Sequence, residues 1–426
     1  MTDIKQRLLA SVAVTACTLG GTGVAFAQDQ QVCTEDLSII AQPRDGLTTT
    51  EEYEDEFREI SGVGFQIDYL NENDRRAKSR ADASTIGRYD VYYIDEANLA
   101  QFAASNWIVP LLDYYPEEYD FEDFDPGLRT IATYDDQIWF APIQGGGDLM
   151  VYRTDLLEEA GIEPPETLEE FKSAVATLHD PDNGVYGTAL RGQRGSGANV
   201  WRWMPYFQAA GGEWFDDDGN PAFNSDAAVE ATETYLELFE YSAPGTQSGS
   251  FAESTGAFNS GQVAIIVESA PLGAMSLDPS VSSVTENVGF GTPPTPLPGG
   301  GYAHGFAIGV KANSSEDEKA CAGQWIAWAT SKENEQRRLE AKQPGELTRT
   351  SIFESEEFAN QFGEELPAAL NATGEVTEIT FWQNEQWPQL GDRWGIILEE
   401  LITGQRSDIP AALGELEDFA IELTAD

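Results

Sequence analysis

The chain has 426 residues, 74 of them acidic against 24 basic, for a net charge of −50, and only seven of the basic residues are lysine. That balance excludes nucleic acid as a partner, because phosphate contacts need a basic face, and it disfavours an anionic membrane surface for the same reason. Three cysteines and two histidines, His179 and His304, leave a histidine-based metal centre or a Ser-His-Asp triad poorly supplied, so no cofactor or metal is expected.

Lys5 and Arg7 precede an apolar run, and Ala25-Phe26-Ala27 puts small residues where a signal peptidase reads, which predicts a secretory leader over 1–27 cleaved after Ala27. A membrane anchor is the alternative, and Thr and Gly dilute the run it would need. Lipid attachment at Cys17 is a second alternative, opposed by the apolar residues that follow it. The remaining 426 − 27 = 399 residues have room for two domains in a periplasmic protein. Cys33 and Cys321 are then the only thiols, able to form one disulfide in an oxidising compartment. Acidic residues spread over helices and turns rather than gathered in one tail fit a protein of concentrated salt, where counterions screen self-repulsion.

In chain order, residues 36–43 (DLSIIAQP) read as a buried strand, with a helix from about Thr49 and further strands at 63–70 and 89–95. Strands alternating with helices predict an α/β fold with parallel sheet, in which ligands lie beyond the carboxyl ends of the strands. Asp95 ends the third strand and reads as a ligand contact or as the N-cap of the next helix; the two are compatible. The strand IWFAPI (138–143) runs into Gly145, Gly146 and Gly147, and a helix follows behind a Thr167-x-x-Glu170 capping box. GVYGTAL (184–190) reads as a short strand, and the aromatic stretch from Asn199 as a helix. DDDGN (216–220) reads as a hairpin turn, because a calcium loop would need its first and last ligands at Trp214 and Ser225. A helix capped near Ser225 and a buried strand in QVAIIVESA come next. A second glycine run, Gly299 to Gly301, leads into another strand and a long helix, about 155 residues after the first. Two such runs suggest a chain that builds part of one lobe, crosses to a second and crosses back, with motion concentrated at the glycines.

Four segments in series carry a resemblance. YDVYYIDEANLAQFAASNWIVPLLDY, IWFAPIQGGGDLMVYRTDLLEEAGIEPPETLEEF, GAFNSGQVAIIVESAP and GFAIGVKANSSEDEKACAGQWIAWATSKENEQ resemble, in order, segments of the extracellular solute-binding proteins of ABC importers. The likeness is to the sugar-binding family that includes maltose-binding protein, with Arg153 at a usual Asn and Leu168 at a usual Trp. It implies a two-lobed periplasmic-binding-protein fold with hinge crossings and a ligand cleft between lobes. By likeness the first lobe takes 28–143 plus about 303–365, and the second about 148–298 plus 366–426. The crossings then fall near 144–148, 299–304 and 360–370. The implied task is capture without catalysis: a carbohydrate or polyol delivered to a membrane permease by a monomer. A secreted glycoside hydrolase, a chemoreceptor-linked binding protein and a binding protein for another small solute are the alternatives.

Sugars offer hydroxyls to planar polar groups and C–H faces to aromatic rings. Asp95 at its strand end, and Gln144 and Asp148 bordering the glycines, face the expected cleft. Arg191, Arg194 and Asn199 lie in a loop that is unusually basic for this chain. Trp201 falls where the family often places a stacking aromatic, with Trp203 two residues on; His304 lies in the second crossing. Trp382 and Trp387 fall near a C-terminal aromatic segment that lines some members' clefts, and Arg44 follows the first strand. Each Trp reads equally as core, and each of Arg191 and Arg194 as half of a surface ion pair.

Overall fold

The computed structural model describes residues 33–425 apart from 117–118, 196–197, 217, 312–313 and 343–346. The leader expected over 1–27 lies outside the described residues. Two sheets organise the chain. In the first, Leu37–Ala41 is flanked in parallel by Phe65–Tyr69 and Val91–Asp95. Tyr302–Gly309 then adds antiparallel to Val91–Asp95 and also pairs with Ile108–Val109 and Ala141–Gly146. The central strands are apolar on both faces, as in sheets covered by helices on both sides. The first helix begins at Asp45 rather than near Thr49, because Arg44 is still extended and the backbone turns directly after it.

The second sheet departs from the expected parallel pattern. Asp148–Arg153 lies between Val288–Gly291 and Ile265–Ser269, antiparallel to both. Residues 184–190 form no strand; Tyr186 and Thr188 make isolated bridges to Val263 and Ser242. Gly187 is pressed so closely on helix Leu168–Leu178 that an added Cβ would stand 2.2 Å from the Val175 carbonyl. Local punctuation follows the residues as read. Thr167 and Glu170 form a reciprocal capping box, Ser225 caps the helix Asp226–Phe239, and Asp216 accepts backbone N–H bonds from Asp218 and Asn220 in the hairpin turn.

Each sheet has its own core. Phe57, Phe65, Trp325 and Trp328 pack ring against ring under the first, and Cys33 is disulfide-bonded to Cys321 on the helix Glu316–Ala329 above it. Trp203, Phe207, Trp214, Trp387 and Trp394 form an aromatic block beside the second. Helix Glu365–Val376 joins the second-sheet core through Leu366 and Ala369. Thr377–Glu378 then pairs with Gly299–Gly300, and Trp387–Ile402 and Ile409–Thr424 pack into the aromatic core beside the second sheet. Among the described residues, no helix is long and apolar enough to cross a membrane.

Between the sheets the chain passes directly from Ala141–Gly146 into Asp148–Arg153. Only Gly146 has a backbone that side chains resist, at φ +141°. The other two glycines answer a shortage of space. A Cβ on Gly145 would lie 2.3 Å from Leu128 Cδ2, and one on Gly147 would lie 2.1 Å from Thr377 Oγ1.

Candidate functional site

Asp95 ends its strand fully buried, at the N-cap position of helix Glu96–Ala104, yet its carboxylate caps no backbone N–H. Arginines claim it instead. Arg75 Nη2 donates to both oxygens at 2.6 and 2.8 Å, and Arg76 Nε donates at 2.5 Å. Consecutive positions on helix Glu72–Ala83 let both guanidiniums reach one acid, while Glu72 holds Arg76 from the other side at 2.7 Å. Burial alone would raise the Asp95 pKa; Arg75 and Arg76 outweigh it and hold the carboxyl well below the usual range. Beside it, Glu96 accepts the Ala303 N–H at 2.9 Å, and burial together with the Asp95 charge pushes it up to about 8. His304 lies 3.4 Å from Asp95 and 3.2 Å from the Tyr93 hydroxyl. Its burial lowers the imidazole pKa to about 4, so it is neutral at pH 7. Tyr93 also reaches Gln144 Oε1 at 3.3 Å.

The second lobe presents a matching cluster. Asp148, buried at the first residue of its strand, accepts from Arg202 Nη1 at 2.7 Å and from the Gly300 N–H at 3.3 Å. Glu268, an acid near the end of an apolar strand, accepts from Arg191 through Nε at 2.8 Å and also through Nη2. Ser254 Oγ, the Ser269 N–H and Ser269 Oγ fill its remaining lone pairs. Burial opposes its charge, but Arg191 and Arg202 prevail and lower its pKa to about 2. Arg202 Nε, Arg202 Nη2 and the Tyr302 hydroxyl are among the inaccessible donors that lack partners among the described residues. Tyr302 lies between the clusters, within electrostatic range of Arg44 and Tyr93 on one side and Asp148 and Glu268 on the other. The lobes touch around this point. Ala97 packs into the second-lobe core, Arg80 approaches Asp392 at 3.8 Å, and Glu72 feels the charge of Arg191.

The structure thus gathers Arg44, Asp95, Gln144 and His304 on one side and Asp148 and Arg191 on the other. Other candidates stand elsewhere. Arg194 is exposed and paired with Glu399. Asn199 Nδ2 ties its helix to the Gly395 carbonyl at 2.9 Å. Trp203 is stacked on Phe207 in the core with its N–H on Thr232, and Trp387 is buried against Trp214. Trp382 lies on Phe215, and Trp201 is buried against Phe381. Sequence reasoning passed over Arg75, Arg76, Glu96, Arg202, Glu268 and Tyr302. A usable signal existed for two of them, an arginine between two tryptophans and an acid inside IIVES. Among the described residues, no group of three or more His, Cys, Asp or Glu could hold a metal ion.

Residues 41–336 match the family model described as bacterial extracellular solute-binding protein. The mannitol-binding protein of Pseudomonas aeruginosa is 31% identical over 268 residues, which cover 62% of this chain and 61% of that one. The chain thus spans about three fifths of that relative's length. The erythritol/L-threitol-binding protein of Mycolicibacterium smegmatis is 23% identical over 341 residues, 75% of this chain and 71% of that one. In fold, a solute-binding protein of Agrobacterium vitis solved with bound D-mannitol superposes with a TM-score of 0.80 at 24% identity, over 91% of this chain and 98% of that one.

Proposed function

The chain belongs to the bacterial extracellular solute-binding protein family, and on that premise we propose that it traps a neutral polyol or sugar between its lobes and hands it to the permease of an ABC importer. One observation carries the ligand class. Four arginines (75, 76, 191 and 202) are paired with four carboxylates (72, 95, 148 and 268), while Glu96, pushed up to about 8, is protonated at neutral pH, so the paired side chains cancel their charges inside a molecule of −50. Such a site gives no preference to a carboxylate or an ammonium. It does offer fixed donors and acceptors to hydroxyls, and the relatives named for mannitol, erythritol and L-threitol point the same way. Binding holds the lobes together because the ligand touches both, and a ligand shifts an equilibrium only by favouring one state. Asp95 and Glu268 are each committed to arginines, an arrangement suited to positioning hydroxyls. The proposed setting is the periplasm of an organism living in concentrated salt, with the protein acting as a monomer.

The test is a thermal-shift panel in molar KCl covering acyclic polyols, hexoses, uronic acids, amino acids and betaine. A polyol or sugar at one hundred times its Kd should stabilise the fold by about 2.7 kcal/mol. Stabilisation by an amino acid or betaine alone would overturn the assignment.

A further inference from the structure

Glu96 is the acid of the first-lobe cluster that no arginine grips. Glu72, Asp95, Arg75 and Arg76 hold one another, whereas the one basic group that an oxygen of Glu96 contacts among the described residues is His304, with Nε2 3.9 Å from Oε2. That imidazole is neutral at pH 7, so Glu96, 5% exposed, has no positive charge in contact with it. The surrounding elements add none. Helix Glu96–Ala104 carries no further ionisable side chain. Its own strand brings Tyr93 and Asp95, the strand Tyr302–Gly309 brings Tyr302 and His304, and Arg44 acts on those two from beyond the first strand. Tyr134 packs with the apolar cluster of Leu99 and Phe102. On Trp387–Ile402 the charged groups are engaged elsewhere: Asp392 with Arg80, Arg393 with Glu415, Glu399 with Arg194 and Glu400 with Arg406.

Its position matters as much as its charge. Oε2 accepts the N–H of Ala303, at the start of the strand that follows the second glycine run, and the next residue along the helix, Ala97, is buried in the second-lobe core. Glu96 is thus shut away from water where the first lobe, the crossing and the second lobe meet. A carboxylate enclosed there loses its hydration with no cation to offset the loss, and a carboxylic acid loses far less. Burial, and then the Asp95 charge, accordingly push the group up to about 8.

We propose that Glu96 is a proton-operated catch between the lobes: closing the cleft takes one proton from solvent onto Glu96, and loss of that proton favours the open form, in which water reaches the carboxylate. A hydrated Glu titrates near 4.5 and the enclosed one near 8. Closure is therefore insensitive to pH below the first value, weakens by about tenfold per pH unit between the two, and levels off above the second. The catch rests on the closing motion proposed above but not on the identity of the ligand, and its test uses none, so a failed polyol panel leaves it standing.

Small-angle X-ray scattering of the full chain in about 2 M KCl provides that test. Between about pH 6 and about pH 9 the radius of gyration of the parent should grow as the open form gains. Glu96→Gln, a neutral copy of the acid that still accepts the Ala303 N–H, should unfold cooperatively in urea at about pH 6 and keep the compact radius at both pH values. A parent whose radius does not change, a Glu96→Gln chain that expands as the parent does, or one that fails to fold where the acid it copies is uncharged would each overturn the proposal.

Discussion

Replacing Glu268 by Gln keeps the side chain's shape and removes its charge, which makes it a sharp test of the second-lobe cluster. The carboxylate is 1% exposed and receives Arg191, Ser254 and Ser269, with Arg202 at 3.5 Å. Lowering its pKa from an ordinary 4.5 to about 2 corresponds to about 3 kcal/mol of stability at neutral pH. Breaking one partner of a buried ion pair costs a similar amount, about 3–5 kcal/mol, because the guanidiniums are left uncompensated. A folded-state pKa below the unfolded one places this contribution in full above about pH 4.5 and removes it as the pH falls through about 2. Urea unfolding in about 2 M KCl should therefore show Glu268→Gln weaker by about 3 kcal/mol from about pH 5 to 8, with the gap narrowing below that. The salt should leave the gap nearly intact, since interior pairs are poorly screened, while both proteins gain stability over about 0.1 M KCl as surface repulsion is damped. A variant within about 1 kcal/mol of the parent at pH 7, or a gap unchanged down to about pH 3, would refute the reasoning.

Three further outcomes are expected. Tyr302→Phe removes a hydroxyl that has no partner among the described residues, so the melting temperature should hold or rise while calorimetry shows polyol affinity falling about tenfold. Replacing Cys33 and Cys321 together by Ala opens a link across 288 residues, and by the loop-entropy model the urea-derived stability should drop by about 5 kcal/mol. Gly147→Ala drives a methyl to within 2.1 Å of Thr377 Oγ1 and 2.8 Å of Thr373 Cγ2, and a loss of about 1–3 kcal/mol should appear in the same urea assay.

What could be read from the chain beforehand was local. The Thr167–Glu170 box and the Ser225 cap depend on residues three apart, and buried strands such as LSIIA announce themselves by composition. The direction of Asp148–Arg153 against Ile265–Ser269 depends on how a connection of more than a hundred residues returns, and no short window records that. The same holds for the ion pairs. Arg75 and Arg76 look like any exposed basic pair in NDRRAKSR until Asp95, some twenty residues on, is folded against them. Tryptophans were the least legible, because a large ring with one N–H suits a core and a sugar face alike. Trp203 and Trp387 belong to the core because of neighbours distant in sequence, Trp394 of helix Trp387–Ile402 for the one and Trp214 for the other. The glycine runs were visible, but their cause was not: at Gly145 and Gly147 the chain needs room more than it needs freedom.

Drawing four of 24 cationic side chains into the interior cleft leaves the outer skin poorer still in positive charge. In dilute buffer such a skin would broadcast a strong negative field. In brine that field dies within about 3 Å at 1 M salt. Any membrane receptor meeting this molecule there gains nothing from attraction at a distance, and the two must know one another by touch.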